Sequence, residues 1–300
     1  MLRPLGVGDV LDRTFNVYRA KPLIFIGLSA IWYLLLVLVF IVLAAAIFAG
    51  ALAAFSRQTA TPSPEQIAGA AVGIIGFVLV AIFVAILLFS AQSAALIHAG
   101  ARRYLAKEVT IGESFRAGLS ASVRLFGAGL LVFLAIAALW ALVFAVAGIV
   151  AVVVREPVVS VLVIVLAVIV AIVGTFYLAA SWLVAPVVVV IEKMGPVAAL
   201  GRAWRLSDGN RWRIVGIQVL LFILNIVLSI LIAGLFGGFA AFGQRGEFGV
   251  GSVVQAFVNL ASTIIWAPVE WIAFTVLYYD LRVRKEAFDL QLAAEALPQS

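Results

Sequence analysis

A chain of 300 residues with 66% hydrophobic and only 11% charged residues cannot cover itself in polar surface, since soluble domains run to about 45–50% apolar and about 25% charged. The mean hydropathy of +1.24 likewise excludes a water-soluble enzyme, a disordered chain and a secreted disulfide scaffold, leaving a protein whose solvent is lipid. With no cysteine and one histidine, His98, neither a thiolate metal site nor a zinc site built from histidines is available, and the net charge of +6 suits cytoplasmic loops against anionic lipid better than nucleic acid.

The opening MLRPLGVGDVLDRTF lacks the basic, apolar, small-residue order of a cleaved signal peptide. The apolar run that begins near Leu23 is therefore expected to be a permanent anchor. Six such runs follow one another, at residues 23–55, 67–97, 125–154, 158–191, 214–243 and 249–279. Each exceeds the length of about 18 residues that marks a membrane span. Backbone groups in lipid must pair within their own segment, so each run is expected to be helical. The fold class is an all-α polytopic membrane protein: one membrane domain over residues 1–300, with 281–300 as a cytoplasmic tail. At about 30 residues, each helix would be longer than a hydrocarbon layer of about 30 Å and must tilt, kink or project. Pro186 and Pro268 lie inside the fourth and sixth runs and are expected to kink them.

The breaks after the first, third and fifth runs each hold one basic and one acidic residue: Arg57 with Glu65, Arg155 with Glu156, Arg245 with Glu247. The other flanks carry 17 of the 20 Lys and Arg. By the positive-inside rule that side faces the cytoplasm of a cell membrane, with both termini on it.

Three stretches on the basic side align without gaps, at residues 11–27, 111–127 and 200–216. Leu11, Ile111 and Leu200 coincide, as do Phe15, Phe115 and Trp204, and Gly27, Gly127 and Gly216. Each unit is a basic segment followed by two spans, giving internal repeats near 7–98, 107–192 and 196–280, or three helical hairpins. The apolar stripe at i, i+3 and i+4 predicts short amphipathic elbow helices. These suit either the lipid interface or packing on the protein's own helix ends. The third elbow, with Arg202, Arg205, Arg211, Arg213, Trp204 and Trp212, is the candidate for lipid headgroup contact.

The third elbow reads VVVVIEKMGPVAALGRAWRLSDGNRWRIVGI and the last span ends TVLYYDLRVRKEAFDL. With the opening GDVLDRTFNVYRAK, these stretches resemble the bacterial six-span family named after the membrane domain of glycerophosphoryl diester phosphodiesterases. Residues 278–290 and 199–206 carry the likeness most specifically. The resemblance implies the membrane unit alone. The phosphodiesterase barrel of some members needs about 250 residues of alternating strand and helix, so the enzymatic implication of the family name does not carry over.

One ionisable residue lies inside a span, Glu270, and such a residue is a functional candidate by default. Counting inward from the basic end places Glu270, Asn225, Gln92, Ser181 and Tyr33 in one layer about 13–17 Å deep. No Lys or Arg lies in any span, so the neutral acid is expected, able to donate a hydrogen bond to Asn225 or Gln92. This layer reads either as a binding site or as interhelical hydrogen-bonding, and Trp266 and Trp271 beside Glu270 could line a cavity or merely pack. Gly69, Gly73 and Gly76 read as a close-packing face, His98 as an interfacial residue, and Asp280, Arg282, Arg284 and Asp289 as a solvated helix continuing from the last span. No nucleophile–base pair, metal cluster or phosphate loop is recognisable, and no cofactor is expected. The sequence therefore points to a non-enzymatic membrane protein associated with the anionic cytoplasmic leaflet or docking a protein partner. A small permease using the polar layer is the alternative, since internal repeats also suit transporters.

Overall fold

Prolines and capping side chains set where the helices begin. A computed structural model describes residues 4–56, 63–242 and 250–295. The described residues form ten helices and no strand: α1 (Val7–Ala20), α2 (Pro22–Ser56), α3 (Pro64–Tyr104), α4 (Ile111–Val154), α5 (Pro157–Trp182), α6 (Ala185–Ile191), α7 (Pro196–Ser207), α8 (Arg211–Phe242), α9 (Val250–Glu286) and α10 (Phe288–Glu295). α2, α3, α5 and α7 each start on a proline, whose missing N–H costs nothing in a first turn. Ser63 closes a capping box with Gln66 before α3, and Thr110 Oγ1 accepts from the Glu113 N–H at 3.3 Å before α4. Arg3, Arg57, Arg245, Glu247, the span limits at Gly243 and Gly249, and the last five residues lie outside the described residues.

Six stretches are long and apolar enough to cross a membrane, and the chain is a multi-pass membrane protein: Pro22–Gly50, Pro64–Tyr104, Ile111–Val154, Pro157–Ile191, Arg211–Leu235 and Gly251–Glu286. Several helices outrun the apolar sequence. α3 has 41 residues and α4 has 44, so each is more than 60 Å long at ~1.5 Å per residue, about twice the hydrocarbon thickness.

α1 and α7 are separate elbow helices, as the repeated stretches predict. Lys21 with Pro22 ends the first, and the turn through Gly209 (φ +72°) ends the third. The second elbow is different. Ser120, Ala121 and Ser122 stand where the other copies carry Gly209, Lys21 and Pro22, so α4 runs through without interruption and residues 111–124 are its first turns. Pro186 has the expected effect: the fourth span is cut at Leu183–Val184 into α5 and α6. Pro268 sits within an uninterrupted α9.

Around the molecule α2 packs on α3, α3 on α4, α4 on α5, α5 on α8, α8 on α9, and α9 back on α2. α3 also meets α9 across this ring, and α6 fills the middle against α3, α4 and α9. Residues 271–281 of α9 are buried on every face, which makes the end of the last span the hub. Burial is concentrated at the end bearing α1 and α7, here the basic end: residues 90–97, 187–190 and 271–281 are all buried. The opposite halves of the helices expose Phe48, Val72, Leu162, Leu235 and Phe257. In hydrocarbon such exposure carries no penalty, because lipid tails are as apolar as leucine.

Small residues pack where the helices are tightest. A Cβ on Gly118 would stand 2.5 Å from the Ala91 carbonyl oxygen and 2.9 Å from Ala95 Cβ, and one on Gly127 would meet Pro196 at 2.9 Å. Gly69, Gly73 and Gly76, expected to form a packing face, have no atom within 4 Å of such a Cβ. The expectation fails because α3 is longer than its partners' packed region, and these glycines sit on its free half.

Candidate functional site

The basic end is held together by two charge clusters around the end of α9. Asp280 is 1% exposed, which corrects its reading as part of a solvated helix. It accepts from Arg213 at 2.6 Å, from Arg284 at 3.0 Å and from the Leu5 N–H at 2.6 Å. The same two arginines donate to the Leu5 carbonyl at 2.7 and 2.6 Å. One buried carboxylate and two guanidiniums thus grip both polar groups of the Leu5 backbone. The gain lies in completeness: a buried charge is tolerable when every lone pair has a donor.

In the second cluster Arg202 lies between two carboxylates. It reaches Glu192 at 3.1 Å and pairs with both oxygens of Glu286. The hydrogen bonding that the guanidinium donates to Glu286 is the main reason it is held protonated more firmly than an ordinary arginine. The Tyr278 hydroxyl donates to Glu192 at 2.7 Å, and Arg282 donates to Glu286 at 3.0 Å while lying 4.0 Å from the Phe288 ring centroid. Tyr104, Tyr279 and Phe288 stack in a column beside it at 5.1 and 5.7 Å.

The third elbow divides its predicted headgroup residues. Arg211 donates to Ser181 at 2.8 Å and to Asp208 at 3.1 Å, and lies over Tyr177 and Trp204 at 4.7 and 4.8 Å. Arg202 and Arg213 belong to the two clusters, and Trp204 is half-buried against Trp182. Only Arg205 and Trp212 stand free on the surface, Trp212 at 87% exposure.

The predicted polar layer is also divided. Gln92 donates to Ser29 at 3.2 Å. Tyr33 lies beside the same Gln92 and near Glu270. Gln92, Tyr33 and Glu270 therefore gather where α2, α3 and α9 meet. Glu270 is half-buried and has no hydrogen-bond partner among the described residues. Ser181 belongs elsewhere, under Arg211, and half-buried Asn225 makes no side-chain hydrogen bond among the described residues. His98 is half-buried, with Nδ1 3.3 Å from Ser114 Oγ. No three His, Cys, Asp or Glu gather among the described residues to hold a metal ion.

The clusters draw on α1's lead-in, α6, α7, α8 and α9, so a sequence signature for them must span nearly the whole chain. The family model described as Domain of unknown function (DUF8558) matches residues 1–289. The chain belongs to that family. No curated protein and no solved structure matches. The match runs from the Leu5 segment through Glu286, so all the clustered residues of this DUF8558 member fall within it.

The part missed from sequence is Leu5 with Asp280, 275 residues apart. One signal was available: Asp280 and Glu286 each have an arginine four residues away, Arg284 and Arg282. That spacing suits side-chain pairs on one helix face and marks the end of α9 as organised.

Proposed function

We propose that this protein is a non-enzymatic, lipid-associated membrane protein whose basic end lies at an anionic cytoplasmic leaflet, with both termini on that side. One observation carries the reading. The carboxylates Asp280, Glu192 and Glu286 are engaged by the clustered arginines, while Arg19, Lys21, Lys107, Arg116, Lys193 and Arg205 are exposed with no ion pair among the described residues. These six cations outnumber the exposed carboxylates of that end that have no ion pair among the described residues, Asp12 and Glu108, so what the basic end presents outward is net positive. Exposed Trp212 adds an aromatic anchor of the kind found at membrane interfaces. The likeness to the membrane unit of glycerophosphoryl diester phosphodiesterases belongs to the same proposal. Its most specific stretches supply Arg202, Tyr278, Asp280, Arg284 and Glu286, all members of the clusters.

The test is native mass spectrometry of the full chain released from mixed zwitterionic and anionic bilayers. The wild type should retain anionic lipid preferentially. The Arg116→Gln, Lys193→Gln, Arg205→Gln triple variant should lose most of that preference, since each cation near an anionic surface contributes about 1 kcal/mol. Equal retention of both lipids by the wild type overturns the reading.

The gathering of Glu270, Tyr33 and Gln92 favours a second reading, a small permease. Solute- or proton-dependent flux in liposomes that Glu270→Gln abolishes would establish it in place of the first.

A further inference from the structure

An apolar cavity of about 790 Å³ opens between α3, α4, the α5–α6 break and α9, within the range of about 300–1,000 Å³ typical of ligand sites. We propose that it holds the acyl chain of an anionic membrane phospholipid whose headgroup is met by Arg124 and Lys193. This rests on the lipid-associated reading and deepens it by naming the site and the ligand.

The chemistry of the wall selects hydrocarbon. Ser90 and Ser93, the two hydroxyl-bearing residues of the lining, donate back to Ile86 and Phe89 carbonyls at 2.8 Å each. They offer no free proton to a polar solute. The rest of the lining is aliphatic, aromatic or glycine, with the rings of Trp182 and Trp271 among it. The cavity exists because small residues face it at the break. Ala179 and Ala185 stand on either side of Leu183–Val184, and Gly129 on α4 faces them with no atom within 4 Å of where a Cβ would be.

The direction of entry follows from exposure. Ile82, Phe89 and Phe133 line the cavity yet are 50%, 52% and 65% exposed, whereas Leu125, Ala128 and Ala185 are buried. The mouth therefore faces sideways, into the bilayer. Between Leu125 and Phe133 the wall follows α4 for about 12 Å at ~1.5 Å per residue.

The charge lies at one end of that track. Arg124 precedes Leu125 and sits one turn toward the basic end from Ala128. Its Nη1 donates to the Lys193 carbonyl at 2.7 Å, which ties the guanidinium to the backbone of a second cationic residue. Lys193 is exposed, and neither residue has an ion pair among the described residues. Arg124, one turn before the lining residue Ala128, and the Lys193 segment it holds thus bring two cationic residues to the basic end of the hydrocarbon slot, and two such charges complement a phosphodiester above an acyl chain.

The experiment places the full chain in nanodiscs containing phosphatidylglycerol with a photoreactive diazirine on one acyl chain, and maps the cross-links. Parallel discs carry the same probe as phosphatidylcholine or as a free fatty acid. Cross-links at Phe89, Phe133 and Trp271 should fall about tenfold in Gly129→Phe, a change of about 1.4 kcal/mol, while labelling at Phe48 and Leu162 stays constant. Val132→Phe is the second filled variant should Gly129→Phe lose its monodisperse elution. Arg124→Gln with Lys193→Gln should abolish the advantage of phosphatidylglycerol over phosphatidylcholine within the cavity. Cavity labelling unchanged by both fillings, or equally strong from the free fatty acid or phosphatidylcholine, overturns the assignment. Retention of anionic lipid by the whole protein separates the two failures. If it persists without cavity labelling, only this inference fails, and if it is absent, the broader reading has failed first.

Discussion

The two ends of the helices follow opposite rules. At the basic end, residues 271–281 are wholly buried, charged side chains are shared among five elements, and glycine is used where backbones nearly touch. In the distal halves the same helices expose leucine, isoleucine and phenylalanine and meet few neighbours. A bilayer explains both. Hydrocarbon gives helices no hydrophobic reason to associate, so long apolar arms need only satisfy their own backbone. Specific structure has to come from polar pairing and close packing, and both are concentrated at the basic end.

If this contrast is right, substitutions of one type should differ in effect by end. The largest effect is expected at Asp280. Asp280→Ala would leave Arg213, Arg284 and the Leu5 N–H without their acceptor, and removing one partner of a buried pair costs about 3–5 kcal/mol. Unfolding in detergent, followed by scanning fluorimetry, should show a major loss of stability and release of the N-terminal segment to protease. Thermal stability equal to wild type would mean that the basic end is not the stabilising centre. Next comes a matched glycine pair on neighbouring helices. Gly118→Ala drives a methyl group into the Ala91 carbonyl and should cost about 1–3 kcal/mol, as overpacking does. Gly73→Ala meets open space and should be neutral or slightly stabilising through helix propensity. The same measurement on both reports whether the tight end and the free end are correctly assigned.

The same contrast explains what could be read from the sequence. Six spans, the asymmetry of charge and the first and third elbows were legible, because each is a local property of composition or of a breaker such as Pro22 or Gly209. Helix phase was not. A span that is apolar on every face does not declare which face packs, so depth alone groups Ser181 with Glu270 although it lies under Arg211, and the glycine spacing predicts at Gly73 a close contact that is not there. The alignment predicts a second elbow like its copies, although Ser120, Ala121 and Ser122 contain no signal to stop a helix. From sequence Asp280 reads as solvated, because two of its three partners, Leu5 and Arg213, lie far away in the chain.

The smallest effect expected is at Thr175, and it tests the distal arms directly. There Trp140 Nε1 donates to Thr175 Oγ1 at 2.9 Å, joining α4 to α5, while the threonine hydroxyl itself donates back to the Ala171 carbonyl at 2.8 Å. Thr175→Val preserves shape but removes the acceptor. Were the arms stabilised like a soluble core, stranding an indole N–H would cost about 1–3 kcal/mol. In a membrane the unfolded reference state also finds partners for polar groups, and measured interhelical hydrogen bonds average about 0.6 kcal/mol. A small loss of that order in detergent or bicelle unfolding agrees with arms held loosely by occasional polar contacts. A loss approaching that of Asp280→Ala would show that the arms are as cooperative as the basic end, and the division drawn between the two halves would be wrong.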